Sequence, residues 1–92
     1  MDLHLRGKRA LITGASKGIG AAVAEALAEE GCNLHLAARN TAAMEALAAR
    51  LSAAQGVDVA VHSADLRDAG ALSRLAAAAA DSDILVNNAG DV

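Results

Sequence analysis

The stretch "LITGASKGIGAAVAEAL", residues 11–27, decides the fold. A short apolar run passes through a glycine-rich turn into an alanine-rich stretch with helical spacing, and Gly14, Gly18 and Gly20 punctuate the passage. A turn of this kind between a strand and a helix is a phosphate site. The first amides of a helix lack intrahelical acceptors, the helix dipole favours an anion there, and glycines without Cβ atoms let a pyrophosphate approach the main chain. In Gly14-x-x-x-Gly18-x-Gly20 the first glycine permits the tight turn, the second the close approach, and the third the packing of helix on strand. This spacing differs from G-x-G-x-x-G, because Ser16 stands where that pattern wants a glycine. Taken alone, the turn is weak evidence, since a tight strand–helix loop without a ligand is its alternative reading.

Working outward, further apolar runs of strand length occupy residues 34–38, 57–61 and 84–86, with residues 10–13 as the first, and they read as four buried strands. Between them apolar residues recur at helical spacing: Ile19, Ala22, Val23, Ala26 and Leu27; Met44, Leu47, Ala48 and Leu51; Leu72, Leu75, Ala76 and Ala79. Gly31 and Gly56 stand where helix C-caps belong, and Asn40 or Thr41 and Asp68 where N-caps belong. Strict alternation of strand and helix with short connections forces parallel strands and right-handed crossovers. The expectation is an open α/β sheet in the order strand, helix, strand, helix, strand, helix, strand, forming one domain over residues 1–92.

Composition narrows the function. The 92 residues are 54% hydrophobic, contain no Phe, Tyr, Trp or Pro, and carry a formal charge of −3. A core of aliphatic side chains and alanine lets helices sit close to a sheet. Nucleic-acid binding is set aside, since it calls for clustered cations and stacking aromatics. Residues 1–10 lack the apolar core of a secretory signal, and no run approaches the ~18 apolar residues of a membrane span, so the expected location is the cytoplasm, with no membrane partner. The single Cys32 fits a buried thiol in a reducing compartment. His35 and His62 fall on neighbouring strands but lack the further ligands a metal requires, and no metal site is expected. Asp81, Asp83 and Asp91 read as solvated loop residues.

Three motifs in order, "TGASKGIG" (13–20), Asp65 in "SADL" and "NNAG" (87–90), each at the carboxyl end of an expected strand, resemble the cofactor half of the short-chain dehydrogenase/reductase family, and of its common branch. The resemblance spans nearly the whole chain. It implies a Rossmann-like three-layer fold, incomplete at the C-terminus, and gives roles to the matching positions. Gly14, Ser16, Lys17, Gly18, Ile19 and Gly20 would surround the cofactor phosphates. Asp65, with the Leu66 backbone, would bind adenine, and Asn87, Ala89 and Gly90 would line the cofactor ribose.

The second expected strand ends "LAARN". An acid at this place accepts from a free ribose 2′-OH, whereas an arginine accommodates a 2′-phosphate. Ala38 offers no carboxylate, while Arg39 offers a planar cation that Lys17 can supplement, so NADP is expected over NAD. The family's proton donor is a tyrosine assisted by a lysine and a serine. This chain has no tyrosine, and its lysines, Lys8 and Lys17, come too early to match. Two readings follow. In one, the chain is the N-terminal portion of a longer NADP-dependent oxidoreductase, itself inactive, whose parent acts on a small carbonyl or alcohol substrate and forms a homo-oligomer. In the other it is a non-catalytic nucleotide-binding or assembly module. The end at "NNAGDV", without a closing helix, is expected of the first.

Overall fold

The computed structural model describes residues 5–14, 18–65 and 67–87. They form four strands and three helices in the expected order: β1 (Arg9–Thr13), α1 (Gly18–Glu29), β2 (Asn33–Ala38), α2 (Thr41–Gln55), β3 (Val59–Ser63), α3 (Ala69–Ala78) and β4 (Ile84–Asn87). The sheet is parallel throughout, with strand order β3-β2-β1-β4. The chain builds outward from β1 to β3, then crosses back to place β4 on the other side of β1. The order therefore reverses between β1 and β4, and open α/β sheets bind ligands beyond the carboxyl ends of the strands at such a reversal.

Side-chain alternation sorts the residues onto two faces. Ala10 and Ile12 of β1 with Leu34 and Leu36 of β2 point to one side and are buried against α1 and α2, in a core that includes Ala24, Ala28, Met44, Leu47 and Leu51. Val59, Val61, Ile84 and Val86 extend this core along the flanking strands. On the other side, among the described residues, α3 alone covers the sheet, and a small cluster of Ala37, Ala64 and Leu75, flanked by Leu11 and Ala71, replaces the large core. Beyond its reach Leu85 remains 65% exposed on β4.

Helix boundaries follow the chemistry of the caps. Asn40 caps α2 by accepting from the Ala42 amide at 3.1 Å, and Asp68 caps α3 by accepting from Gly70 at 2.9 Å. Gly56 closes α2 in a left-handed conformation, its N–H donating to the Ser52 carbonyl at 2.9 Å. Cys32 is fully buried, its thiol donating to the Leu5 carbonyl at 3.5 Å, and burial pushes its pKa up.

Two expectations are corrected. The third strand runs over Val59–Ser63 rather than residues 57–61. Val57 is buried in the large core and Asp58 joins the sheet by accepting from the Leu34 amide, so the apolar run reports burial ahead of strand pairing. The buried stripe of α1 is Gly20, Ala24 and Ala28, with Ala21, Val23 and Leu27 partly buried, whereas Ala22, Ala26 and Ile19 are exposed. The smallest side chains face the sheet because they allow the closest approach of the helix. The expected face of α2 is the buried one, while on α3 Leu75 and Ala79 are buried and Leu72 and Ala76 are exposed.

Candidate nucleotide site at the carboxyl ends of the strands

β1 leaves the sheet at Thr13 and turns through Gly14, which has a φ of 66° and donates its amide to the Ala37 carbonyl of β2 at 2.8 Å. The turn is thus pinned across the β1–β2 junction. Gly18 opens α1 with a φ of 64°, a conformation that side chains rarely adopt, and the place of an added Cβ has no atom of the described residues within 4 Å, as a main-chain approach to a ligand requires. No acidic side chain occupies the first turn of α1, so the positive pole of the helix is not offset there. Ile19, 73% exposed, borders the same opening, and Gly20 is buried beneath it.

Asn87 ends β4 opposite Thr13, and the Thr13 hydroxyl donates to its Oδ1 at 3.1 Å. This bond holds the two strands together where the order reverses. On the other flank β2 and β3 end side by side: Ala38 is level with Ser63, and the Ala64 amide donates to the Ala38 carbonyl at 3.1 Å. Arg39 follows Ala38 directly, Asp65 lies two residues past Ser63, and the Arg39 charge acts on the Asp65 carboxylate. Arg39 is exposed and forms no ion pair among the described residues.

Asp65 is more firmly held than its sequence context suggested. Its Oδ1 accepts from the backbone amide of Arg67 at 3.0 Å and from Arg67 Nε at 3.1 Å, while Oδ2 accepts from Arg67 Nη2 at 3.1 Å. These bonds, foremost the side-chain ones, and the charges of Arg67 and Arg39 hold the Asp65 pKa down to about 2, so the carboxylate stays ionised. Sequence reasoning passed over Arg67. The signal was the two-residue spacing in "DLR", which lets an aspartate close a turn on the amide two residues on and brings a cation back onto it.

Of the expected site residues, Gly14, Gly18, Ile19, Gly20, Arg39, Asp65 and Asn87 thus lie at the carboxyl ends of the strands. Ser16, Lys17, Leu66, Ala89 and Gly90 lie outside the described residues. The site can present backbone amides and a helix N-terminus to an anion, an arginine to a second anionic group, and a fixed carboxylate to a hydrogen-bond donor.

A second polar cluster lies on the α3 face and corrects the reading of two aspartates as merely solvated. Asp81 Oδ1 lies 2.8 Å from His35 Nε2 and its Oδ2 is 3.0 Å from Arg9 Nε. His35 Nδ1 lies 2.9 Å from His62 Nε2. With Asp81 ionised, His35 donates to it through Nε2, and the direction of the contact with His62 follows the protonation of the two rings. Asp83 accepts the Arg9 amide at 3.0 Å, and its own amide donates to the Arg9 carbonyl at 2.7 Å, which fixes the entry to β4. Asp91 lies outside the described residues. His62, Arg74 and Leu75 also line a shallow groove of about 310 Å³ between β3 and α3, which none of the described site residues borders.

Comparison with known proteins agrees with this architecture. The family model for short chain dehydrogenases matches residues 8–91. The chain is 48% identical over 90 residues to a glycine betaine reductase of Emericella nidulans, a match covering 94% of this chain and 7% of that protein. It is 42% identical to D-threitol dehydrogenase of Mycolicibacterium smegmatis, covering 97% of this chain and 35% of the relative. Among solved structures, L-sorbose reductase of Gluconobacter frateurii, in complex with NADPH and L-sorbose, superimposes with a TM-score of 0.93 at 37% identity, over 99% of this chain and 36% of that one. A short-chain dehydrogenase of Sphingobium yanoikuyae in complex with NADPH gives a TM-score of 0.85 at 44% identity, over 90% of this chain and 34% of its own. The chain thus spans about a third or less of the length of these relatives. With the fold, the strand-order reversal and the family match in agreement over almost its full length, the chain belongs to the short-chain dehydrogenase family.

Proposed function

We propose that residues 1–92 are the cofactor-binding portion of an NADP-dependent short-chain oxidoreductase, whose longer parent transfers hydride between NADPH and a carbonyl or alcohol substrate in the cytoplasm. The observation that carries the choice of cofactor is the exit of β2, where Ala38 supplies no carboxylate and Arg39 stands exposed beside the exit of β3. An acid there would accept from a ribose 2′-OH; a guanidinium there can grip a 2′-phosphate with two parallel N–H donors. Two structural neighbours crystallised with NADPH lend support.

In this reading the amides around Gly14, Ser16, Lys17, Gly18, Ile19 and Gly20 cradle the phosphates, with the α1 dipole behind them. Asp65 accepts from the adenine amino group, with the Leu66 backbone alongside, and Asn87, Ala89 and Gly90 line the second ribose. The bound dinucleotide would supply the hydride. The chain's own residues bind and orient it, but they provide no proton donor for a developing alkoxide: there is no tyrosine, and His35 is buried under α3. The chain alone is therefore inactive, and NADPH oxidation by it with a panel of ketones would overturn that statement. Substrate choice resides elsewhere in the parent, because relatives named for glycine betaine, D-threitol and L-sorbose all share this portion.

The test is Arg39→Ala with dissociation constants for both cofactors. Loss of a charge-assisted contact worth about 1.5–3 kcal/mol weakens NADP by roughly 10- to 150-fold and leaves NAD nearly unchanged. Equal weakening of both would remove Arg39 from phosphate recognition.

A further inference from the structure

The carboxylate of Asp65 poses an electrostatic problem for the site proposed above. It emerges two residues past Ser63, which is level with the residue before Arg39, the Ala64 amide ties the two strand ends at 3.1 Å, and the Arg39 charge reaches it. A bare negative charge at this place would oppose the 2′-phosphate that Arg39 is suited to hold. It would also offset part of the Arg39 potential. Arg67 answers both effects. Its Nε and Nη2 each lie 3.1 Å from a different oxygen of Asp65, and its amide adds a third donor at 3.0 Å. The pair is solvent-exposed, so its contribution to folding is small. Its consequence is local: the charge of the carboxylate is offset in place and its plane is fixed, while Oδ2, which accepts a single bond, keeps a lone pair for a further donor.

We propose that Arg67 is a specificity-determining positioning residue, which compensates the charge of Asp65 beside Arg39 and thereby favours a nucleotide bearing a 2′-phosphate over one with a free 2′-hydroxyl. The proposal rests on the NADP reading of the site. It does not require Arg67 to touch the ligand, since it acts through Asp65.

Two probes that differ only in the group at issue, adenosine 2′,5′-bisphosphate and adenosine 5′-monophosphate, test it by calorimetric or NMR titration of the 92-residue chain. In Arg67→Gln, affinity for the bisphosphate falls roughly three- to tenfold, the order expected for unit charges several ångströms apart in a water-rich site, while affinity for the monophosphate changes less than twofold. Added salt narrows the difference, as screening requires. Arg67→Lys, which keeps the charge, retains most of the preference. The double variant Asp65→Asn with Arg67→Gln, in which no carboxylate is left uncompensated, recovers the preference for the bisphosphate. Equal weakening of both probes by Arg67→Gln, or failure of the double variant to recover the preference, would overturn the role of Arg67. A wild-type chain that binds both probes equally would instead overturn the NADP reading, and the inference with it.

Discussion

The two faces of the sheet are made of different material. Beneath α1 and α2, Ile12, Leu34, Leu36 and Met44 are each buried to 1% exposure or less, and among the described residues the layer contains no buried charge. Beneath α3 the same two central strands present His35, Ala37 and Leu11, and the helix is fastened by Asp81 gripping His35 and Arg9 as much as by the packing of Leu75. The first face holds the fold by area removed from water; the second holds it by directed polar contacts that fail if one member is lost. The carboxyl ends of the strands, where the proposed nucleotide site lies, are positioned by the first and only bordered by the second.

This contrast predicts unequal responses to similar changes. Leu36→Ala on the dense face costs about 2–5 kcal/mol of unfolding free energy, because a large cavity opens among close-packed neighbours. Leu85→Ala on the open face stays within about 0.5 kcal/mol, as its side chain is mostly in water. Urea unfolding of the two variants makes the comparison, and equal costs would mean that the α3 face is packed as densely as the other. His35→Ala falls between them, at about 1–3 kcal/mol, since it leaves Asp81 and His62 without their shared partner. A double variant with Asp81→Ala sharpens the point: non-additive costs indicate a coupled network, and additive ones separate contacts.

The smallest effect is on pH dependence. Burial, then the charge of His35, lowers the His62 pKa below its ordinary value of 6.5. The unfolded chain therefore binds a proton before the folded one, and stability is lost as pH falls below about 6.5, with the loss complete once the folded pKa is passed. Asp81, whose pKa is lowered chiefly by its hydrogen bond to His35, adds a second loss as pH drops below about 3.8. Thermal melts from pH 8 to pH 3 report both limbs. His62→Gln removes the upper one; an unchanged profile in that variant would dissociate the limb from the histidine pair.

How much of this was legible in the sequence depended on the kind of signal. Strand–helix alternation and the capping residues Asn40, Asp68 and Gly56 are local and were readable, as was the buried face of α2, where large aliphatic residues mark the stripe. The α1 face misled because glycine and alanine, scored as weakly apolar, are what allow close packing, while the larger Ile19 sits at the open end. In the site, Gly14, Gly18 and Asn87 could be placed because each ends or opens an element. Arg67 is marked by the local spacing of "DLR", which is easily passed over, whereas Asp81 has no local mark, because a lone charge in a loop takes its meaning from the neighbouring strand that the fold brings to it.

The most direct test of the central claim is an amide-resolved NMR titration of the chain with NADP and, separately, NAD. The account predicts that shifts concentrate at Gly14, Gly18 to Gly20, Arg39, Asp65 and Asn87, that His62 and Arg74 in the groove beside α3 stay unmoved, and that NADP saturates them at lower concentration than NAD. Shifts centred on that groove, or no shifts at millimolar NADP, would contradict it.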